Sequence, residues 1–360
     1  MHRHDVIERV GVLLVNLGTP AAPTRSAVRA YLREFLSDPR VVEIPRLIWL
    51  PLLHGLILNT RPRQSARKYQ TIWTPAGSPL MVNTARQASG LADYLAKTVT
   101  QPIAVAFGMR YGSPSIGAAL DGLLEAGCGR VLIVPLYPQY AASTTATALD
   151  RVGTVLRDVR NVPALRFLKH FHDHPAYIEA VAARIRAHWS AHGRADVLVM
   201  SFHGLPQVTL ERGDPYHCEC HKTARLIAAA LDLDSPSWRM SFQSRFGRAR
   251  WLEPYTTAVL NELGRARTKR VDVVCPGFVA DCLETLEEIG IEGRADFIKA
   301  GGGAFHLIPC MNDSDEWIRA LGEIVRDNLT GWIDPTWSDA SERTLAAATL
   351  ARAAALGAAQ

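Results

Sequence analysis

The sequence predicts an α/β protein made of two similar doubly wound domains, whose parallel sheets face each other across a cleft. Two observations predict this fold. Short runs of branched aliphatic residues alternate with helix-length segments that carry apolar residues at spacings of three and four. The two halves also echo each other, since GVLLVNLG and DVLVMSFHG each open a half, and VLIVPLYPQY and VDVVCPGFVAD each break into a proline-containing loop. Such alternation is typical of parallel sheets covered by helices.

Eight apolar runs are the predicted strands, in the order in which they occur along the chain. They lie at 10–15, 103–107, 131–135, 164–168, 197–202, 238–242, 271–274 and 305–308. We predict a first domain at 1–172, a crossover near 171–175, a second domain at 173–311, a helix at about 313–328 within 312–332, and an Ala-rich helical tail at 333–360. The helix is expected to pack back on the first domain.

Composition excludes several classes of function. The net charge is +5 and no run of five or six like charges occurs, so we expect no nucleic-acid partner. The six cysteines are too few and too scattered for a disulfide framework, and we expect them to be reduced. No signal peptide is recognisable before the first apolar run, which predicts a cytoplasmic protein. The first strand is followed by NLGTPAAP and not by a G-x-G-x-x-G pattern, which argues against a nicotinamide-dependent oxidoreductase.

A histidine ends the strand that opens the second half, in DVLVMSFHGLP. Ligands of α/β proteins lie outside the carboxyl ends of parallel strands, so His203 is a candidate site residue. A hydrogen-bonded histidine with no role beyond the strand end is the alternative.

An acidic stripe follows a later strand, in CPGFVADCLETLEEIGIE. Glu284, Glu288 and Glu292 recur every fourth residue, which on a helix places three carboxylates on one face. A solvated helix face would account for the stripe, but its start beside the expected cleft favours a conduit for cations or protons. If Glu284 faces His203, the two form a weak, open site for a divalent metal.

Two further stretches carry alternatives. YHCECH, at 216–221, contains four potential soft or borderline metal ligands, two histidines and two cysteines, but without a matching second pair we favour a surface loop or regulatory site over a structural metal. The apolar segment 47–58 is too short to span a bilayer, which needs about 20 residues. With Arg61, Arg63, Arg67 and Lys68 behind it, the segment is either a helix at a membrane surface or a buried core helix.

Several separate stretches resemble the ferrochelatase family, in particular its proteobacterial branch, from about residue 11 to residue 332. They are LLVNLGTP, YQTIWTPAGSPL, LYPQYAASTT, SFHGLP, GDPY, FQSRFGRARWLEPYT and PGFVADCLETLEEI. The resemblance implies two Rossmann-like domains, a deep porphyrin cleft, and His203 as metal-site histidine and proton acceptor with Glu284 opposite it. The residues that match the family's porphyrin cleft are Leu17, Tyr69, Ser78, Arg110, Tyr137, Trp251 and Phe278, and those assigned to a proton or metal relay are Asp281, Glu288 and Glu292.

The same resemblance implies an enzyme that inserts ferrous iron into protoporphyrin IX with release of two protons, the final step of haem synthesis. It requires no cofactor beyond the iron substrate. Ala142 stands where animal members have a cysteine ligand of an iron–sulfur cluster, so we expect no cluster, and Cys282 replaces a histidine of many relatives. Coproporphyrin as substrate and a non-catalytic tetrapyrrole or metal carrier are the alternatives, although a carrier needs no base such as His203.

Overall fold

Two four-stranded parallel sheets form the centre of the protein. The structure is a computed structural model that describes residues 7–247 and 249–358. The first sheet contains β1 Arg9–Gly18, β2 Ile103–Tyr111, β3 Cys128–Pro135 and β4 Ala164–Phe167 in the order β2-β1-β3-β4. The second contains β5 Val197–His203, β6 Trp238–Gln243, β7 Arg270–Val274 and β8 Ala304–Leu307 in the order β6-β5-β7-β8. All eight predicted strands and the repeat of the two halves are confirmed.

Helices cover the sheets and connect their strands. They are α1 Arg25–Leu36, α2 Arg46–Leu52, α3 Leu58–Ile72, α4 Pro79–Thr98, α5 Ile116–Glu125, α6 Thr147–Leu156, α7 Pro175–His192, α8 Gln207–Glu211, α9 Tyr216–Ala230, α10 Thr256–Arg265, α11 Arg294–Lys299, α12 Asp315–Asn328 and α13 Asp339–Ala355. The π-helical segments Leu53–Ile57, Ala142–Ala146 and Glu284–Gly293 run directly into α3, α6 and α11.

The core continues from one sheet to the other. Leu13 and Leu14 point to opposite faces of β1, and neither side chain is exposed. Leu13 packs with α5 and α6, whereas Leu14 belongs to a cluster that runs through α4, α7 and α12 to Met200 and Phe202 of the second sheet. Both faces of the sheet are therefore buried, which explains why its strands are continuous apolar runs.

Helix α12 returns from the end of the second sheet to the first half of the chain. It packs against α4 and α7. Its Trp317 is fully buried, with ring centroids 5.9 Å from Phe171 and 6.4 Å from Tyr177. The predicted domain limits themselves stay a prediction. The Ala-rich tail forms α13, which buries none of its residues.

The stretch at 216–221 is not a loop, and the prediction of one is wrong. These residues form the first turns of α9, because Cys220, Ala224 and Ile227 recur at helical spacing on its buried face. Cys220 is buried and Cys218 is exposed, so the two cysteines lie on different sides of the helix. His217 and His221, one turn apart, lie on the same side with their Nε2 atoms 3.2 Å from each other.

The apolar segment 47–58 has one buried and one exposed side. Trp49 and Leu53 are buried, and Trp49 donates a hydrogen bond of 2.6 Å from Nε1 to the carbonyl of Leu36. Leu47 and Ile48 are 92% and 66% exposed, and Leu52 and Leu56 project outward as well. The segment thus combines a core contact with an apolar rim. Among the described helices, none is both long and apolar enough to cross a bilayer.

Candidate active site

His203 lies at the point where the strand order of the second sheet reverses. β5 is paired with β6 on one side and β7 on the other, and His203 is its last residue. The ring is half-buried, and its Nδ1 lies 2.6 Å from the carbonyl oxygen of Gly204. Because a carbonyl only accepts, Nδ1 must carry the proton and donate it. In the neutral ring Nε2 therefore keeps its lone pair free for a proton or a metal ion.

The glycine after His203 is required by a close approach of two strands. The amide of Gly204 donates a hydrogen bond of 2.7 Å to the carbonyl of Gln243, the last residue of β6. A Cβ at position 204 would lie 2.7 Å from that oxygen and 3.2 Å from the ring of Trp251. The His-Gly pair is thus explained physically: histidine supplies the chemistry and glycine allows the backbone to turn beneath it.

Glu284 and Glu288 lie on the π-helical segment Glu284–Gly293, which is bonded to the end of β6. Gln243 Nε2 donates to the carbonyl of Glu284 at 2.8 Å and ties the end of β6 to the start of this segment. Ser244 donates to Glu288 from both its backbone amide and its hydroxyl, each at 2.6 Å. Burial raises the pKa of Glu288, and the charge on Glu284 raises it further. The hydrogen bonds from Ser244 and the charge on His203 act in the opposite direction. The charges of His203 and Glu284 thus both act on Glu288.

The third carboxylate of the stripe points elsewhere. Glu292 is 52% exposed and lies 2.8 Å from the ammonium of Lys68 on α3. Lys68 also binds the buried Glu287 at 2.9 Å. Glu287 and Glu292 are five residues apart, which is about one turn of a π-helix, so the ammonium of Lys68 can form ion pairs with both. α-helical spacing does not place residues five apart on one face, so the sequence pattern indicates Glu284, Glu288 and Glu292 but not Glu287.

Asp281 is fully engaged below the site. Its carboxylate accepts hydrogen bonds from Thr285 Oγ1 at 3.0 Å, Asn312 Nδ2 at 2.7 Å and the amide of Cys310 at 3.2 Å. These bonds fix the turn that precedes the π-helical segment against the loop after β8. The arrangement suits a tether that positions Glu284, and the relay role of Asp281 stays a prediction.

Arg110 is paired within the protein. Its Nε donates to the carbonyl and hydroxyl of Thr147 at 3.0 and 2.7 Å, and its other end contacts the carboxylate of Asp38. Tyr111 donates to the same carboxylate at 2.9 Å. Although burial opposes it, hydrogen bonds led by that of Thr147 hold the pKa of Asp38 below its usual value. The charge of Arg110 is thus already balanced by Asp38, a residue that the sequence analysis did not identify.

The predicted aromatic residues include two buried polar atoms without a partner. Within the described residues, the hydroxyl of Tyr137 and the indole nitrogen of Trp251 make no hydrogen bond. Tyr69 is buried on α3, and burial together with the charge of Glu284 raises its pKa. The ring of Phe278 lies 6.4 Å from that of His203. Buried donors of this kind normally have partners, so the two orphans mark places where a bound molecule can supply them.

Comparison with known proteins decides the family. A family model described as Ferrochelatase matches residues 9–329 of the chain. The chain belongs to the ferrochelatase family. It is 57% identical over 357 residues to the ferrochelatase of Aromatoleum aromaticum, covering 99% of this chain and 97% of that protein. It is 58% identical over 359 residues to the ferrochelatase of Azoarcus sp., covering 100% and 98%. The resemblance found in the sequence motifs is confirmed.

A solved structure supports the fold of this ferrochelatase. SirB from Bacillus subtilis with Fe3+ matches with a TM-score of 0.53 and 14% identity, covering 91% of this chain and 99% of that one. At this identity the likeness concerns the fold alone. It confirms the predicted α/β architecture with two parallel sheets.

A cavity of about 910 Å³ opens in the first half of the chain. It is lined by Ser78, Tyr31, Trp73 and His54 among others, whereas His203 and Glu284 do not line it. Ser78 is buried and accepts a hydrogen bond of 2.9 Å from Thr19. Burial and then the charges of Tyr69 and Glu284 raise the pKa of Tyr31, which lines the cavity. Leu17, near the end of β1, is half-buried.

Cys282, the residue that departs from the family's histidine, closes the contact between the two halves. It is buried in a small cluster with Leu80 of α4 and Ala280, and the ring of Phe278 packs against them. Burial, and then the charge of Glu284, raises the pKa of Cys282 well above its usual value. The thiol is therefore protonated at neutral pH and acts here as a small apolar side chain.

Proposed function

We propose that this ferrochelatase inserts ferrous iron into protoporphyrin IX to form protohaem, with His203 as the proton acceptor. The observation that carries the proposal is the hydrogen bond from His203 Nδ1 to Gly204, which leaves Nε2 unprotonated in the neutral ring. In the reaction two pyrrole N–H bonds break, two protons leave, and one Fe2+ takes their place on the ring nitrogens. No electron is transferred, so a base and a metal path are the two requirements.

Glu288 is suited to discharge His203 between the two proton transfers. Its raised pKa brings the carboxyl group closer to that of an imidazole, whose ordinary pKa is about 6.5. A carboxylate whose pKa is raised accepts a proton more readily than an ordinary carboxylate. Ser244 holds the carboxylate with two hydrogen bonds of 2.6 Å, which fixes the geometry of that transfer.

His203 Nε2 and the Glu284 carboxylate form the proposed path for the metal. One imidazole and one carboxylate make a weak site, which suits an ion that is to be passed on to the porphyrin nitrogens. Such a site does not by itself select iron over cobalt or zinc, because nitrogen and oxygen ligands bind those ions at least as well.

The apolar rim at 47–58 favours protoporphyrin as the substrate. It also favours a membrane surface as the place from which the protoporphyrin enters. His54, in the middle of the segment, lines the 910 Å³ cavity, and Leu47, Ile48 and Leu56 of the same segment are exposed. Vinyl groups suit such a rim, whereas the additional propionates of coproporphyrin would lose hydration there without a partner. Of the basic residues behind the rim, Lys68 is occupied by Glu287 and Glu292, and Arg61 lies over the ring of Phe246 at 3.9 Å.

Arg63 and Arg67 are the exposed basic side chains that remain near the rim. Their charges favour an anionic surface, and the attraction weakens as salt shortens the screening length to about 3 Å at 1 M. We therefore propose peripheral contact with the inner face of a membrane, made by the apolar rim and supported by these arginines.

The test is anaerobic turnover of ferrous iron with protoporphyrin and coproporphyrin, comparing wild type with His203→Ala and Glu284→Gln. Both variants should lose metal insertion while porphyrin binding, followed by fluorescence, stays largely intact. His188→Ala is the matched control, because His188 lies beside Asp272 of β7, whereas His203 is the last residue of β5. A higher kcat/KM for coproporphyrin would overturn the substrate assignment, and near-wild-type rates in His203→Ala would overturn the base.

A further inference from the structure

The segment that joins the two sheets takes part in a side-chain cluster that the proposed reaction does not use. His170 and His172 lie between β4 and α7, and Glu219 lies in the first turn of α9. His170 Nδ1 is 2.6 Å from Glu219 Oε1, and His172 Nδ1 is 3.4 Å from Glu219 Oε2. The three ligand atoms lie within 4.8 Å of one another.

His172 shows that the cluster is incomplete. Its side chain is 7% exposed, and its Nδ1 makes no hydrogen bond to any described residue. The nearest other carboxylate, that of Asp173, is 3.8 Å away and is held by Lys222 at 2.5 Å. A buried ring nitrogen without a hydrogen-bond partner, 3.4 Å from a carboxylate oxygen, is placed to bind a metal ion together with that oxygen.

Surrounding groups hold the cluster in place. Glu219 is buried, and its Oε2 accepts a hydrogen bond of 2.7 Å from the amide of Tyr140. Thr223, one turn further along α9, donates to the carbonyl of His172 at 2.7 Å. Lys169 lies over the ring of Tyr140 at 5.1 Å from its centroid, so its ammonium is directed to that ring. Oriented ligands with outer hydrogen bonds are characteristic of metal sites.

We propose that His170, His172 and Glu219 bind one divalent transition-metal ion, separate from the iron that is inserted into porphyrin. Two imidazoles and one carboxylate match zinc, cobalt, nickel or ferrous iron, whereas magnesium and calcium prefer sets of oxygen ligands. His170 is 38% exposed, which gives the ion an entry path and leaves room for water ligands. The bound ion links the connection between the sheets to α9.

A second cluster of similar composition provides the contrast. His188 and His306 flank the buried Asp272, with shortest separations of 3.7 and 3.8 Å. Here Arg270 donates to both carboxylate oxygens at 2.9 and 3.0 Å, and Trp189 donates to one at 2.9 Å. The carboxylate is already neutralised, and the guanidinium repels a second cation. This cluster is an ion pair flanked by histidines and serves as the matched control.

The experiment measures Co2+ and Zn2+ binding to the tag-free, full-length chain by equilibrium dialysis and elemental analysis. A His203→Ala background removes the proposed substrate-metal ligand. We expect about one ion per chain, a loss of at least tenfold in affinity with His172→Ala, and unchanged binding with His188→Ala. The absorption spectrum of bound Co2+ should report nitrogen and oxygen ligands, and Mg2+ should not compete.

Glu219→Gln tests whether a loss of metal binding could come from misfolding. The amide keeps an oxygen for the Tyr140 amide and removes the charge that the metal needs, and far-UV circular dichroism checks the fold. Loss of Co2+ in this folded variant supports the site. Three results would overturn the site. They are no Co2+ binding by the His203→Ala background, retention of the ion in both His172→Ala and Glu219→Gln, and a loss of affinity in His188→Ala equal to that in His172→Ala. Porphyrin metallation is not measured, so the result is independent of the proposed function.

Discussion

Gly204→Ala should impair catalysis through the position of His203 while leaving the chain folded. The added Cβ would lie 2.7 Å from the carbonyl oxygen of Gln243, and ordinary contact begins at 3.4 Å. The two strand ends must therefore separate by about 0.7 Å. The hydrogen bond from the Gly204 amide to the same oxygen, now 2.7 Å long, is stretched by that movement. The ring of Trp251, 3.2 Å from the new methyl group, must also shift.

The expected magnitudes follow from these distances. Overpacking of this kind typically costs about 1–3 kcal/mol of stability, which a chain of this size can tolerate. A misplacement of about 1 Å at a reacting group costs about 100-fold in rate. A shift of about 0.7 Å in the backbone next to His203 should accordingly lower kcat by roughly 10- to 100-fold.

The assay is anaerobic iron insertion at saturating porphyrin and iron, with thermal unfolding measured on the same preparations. Gly153→Ala is the control, because position 153 on α6 is exposed and has no heavy atom within 4 Å of an added Cβ. That variant should keep its activity and gain about 0.5–1 kcal/mol from helix propensity. A Gly204→Ala enzyme within twofold of the wild-type kcat would refute the reasoning.

Four further predictions concern the acidic segment and the rim. Glu284→Gln should lower kcat more than Glu288→Gln, because water can replace Glu288 as a proton relay remote from the porphyrin ring. Equal losses in initial rate would contradict this order. Since the folded pKa of Glu288 is raised above 4.5, its stabilising contribution is lost as pH rises through that pKa. The thermal midpoint of Glu288→Gln should therefore gain on wild type with rising pH, and a constant difference argues against it. Lys68→Met should destabilise the chain by about 1–3 kcal/mol, because the buried Glu287 loses its cation, and a second change, Glu287→Gln, should restore most of the loss in denaturant titrations. Leu47→Glu should reduce sedimentation with anionic vesicles at low salt, and unchanged binding would exclude the rim.

The strands were predictable because both faces of each sheet are buried, and the sequence also places His203 at the end of β5, but the polar carboxyl end of β1 was not predicted. The run at 10–15 continues as strand to Gly18, and the run at 197–202 continues to His203. Asn16 interrupts the apolar pattern, yet it is buried and donates to Thr84 at 3.0 Å. The pattern of hydrophobicity ends where a strand begins to carry polar or reactive side chains, so the carboxyl ends are the least visible part of a sheet.

The rest of the site depends on contacts that no local pattern encodes. Asp38 and Arg110 are 72 positions apart and meet only in the folded chain. The π-helical segment Glu284–Gly293 has hydrogen bonds between residues five apart, whereas the sequence analysis assumed an α-helix. Glu284 and Glu288 still act on each other, since the charge on Glu284 raises the pKa of Glu288, whereas Glu292 points to Lys68. Motifs could identify His203 and Glu284 as candidates, but the partners that set their chemistry came from the structure.

The repeat of the two sheets explains why the site needs a relay. β1 and β5 end in the same way: Gly18 pairs with Tyr111 at the end of β2, and Gly204 bonds to Gln243 at the end of β6. An added Cβ would collide with the neighbouring carbonyl in both places, at 1.8 and 2.7 Å. The residue before each glycine is Leu17 in one half and His203 in the other. The repeat therefore supplies one apolar side chain and one base, while metal insertion releases two protons. Under the proposed mechanism His203 must give up the first proton before it can accept the second, and the raised pKa of Glu288, beside it, supplies the next acceptor.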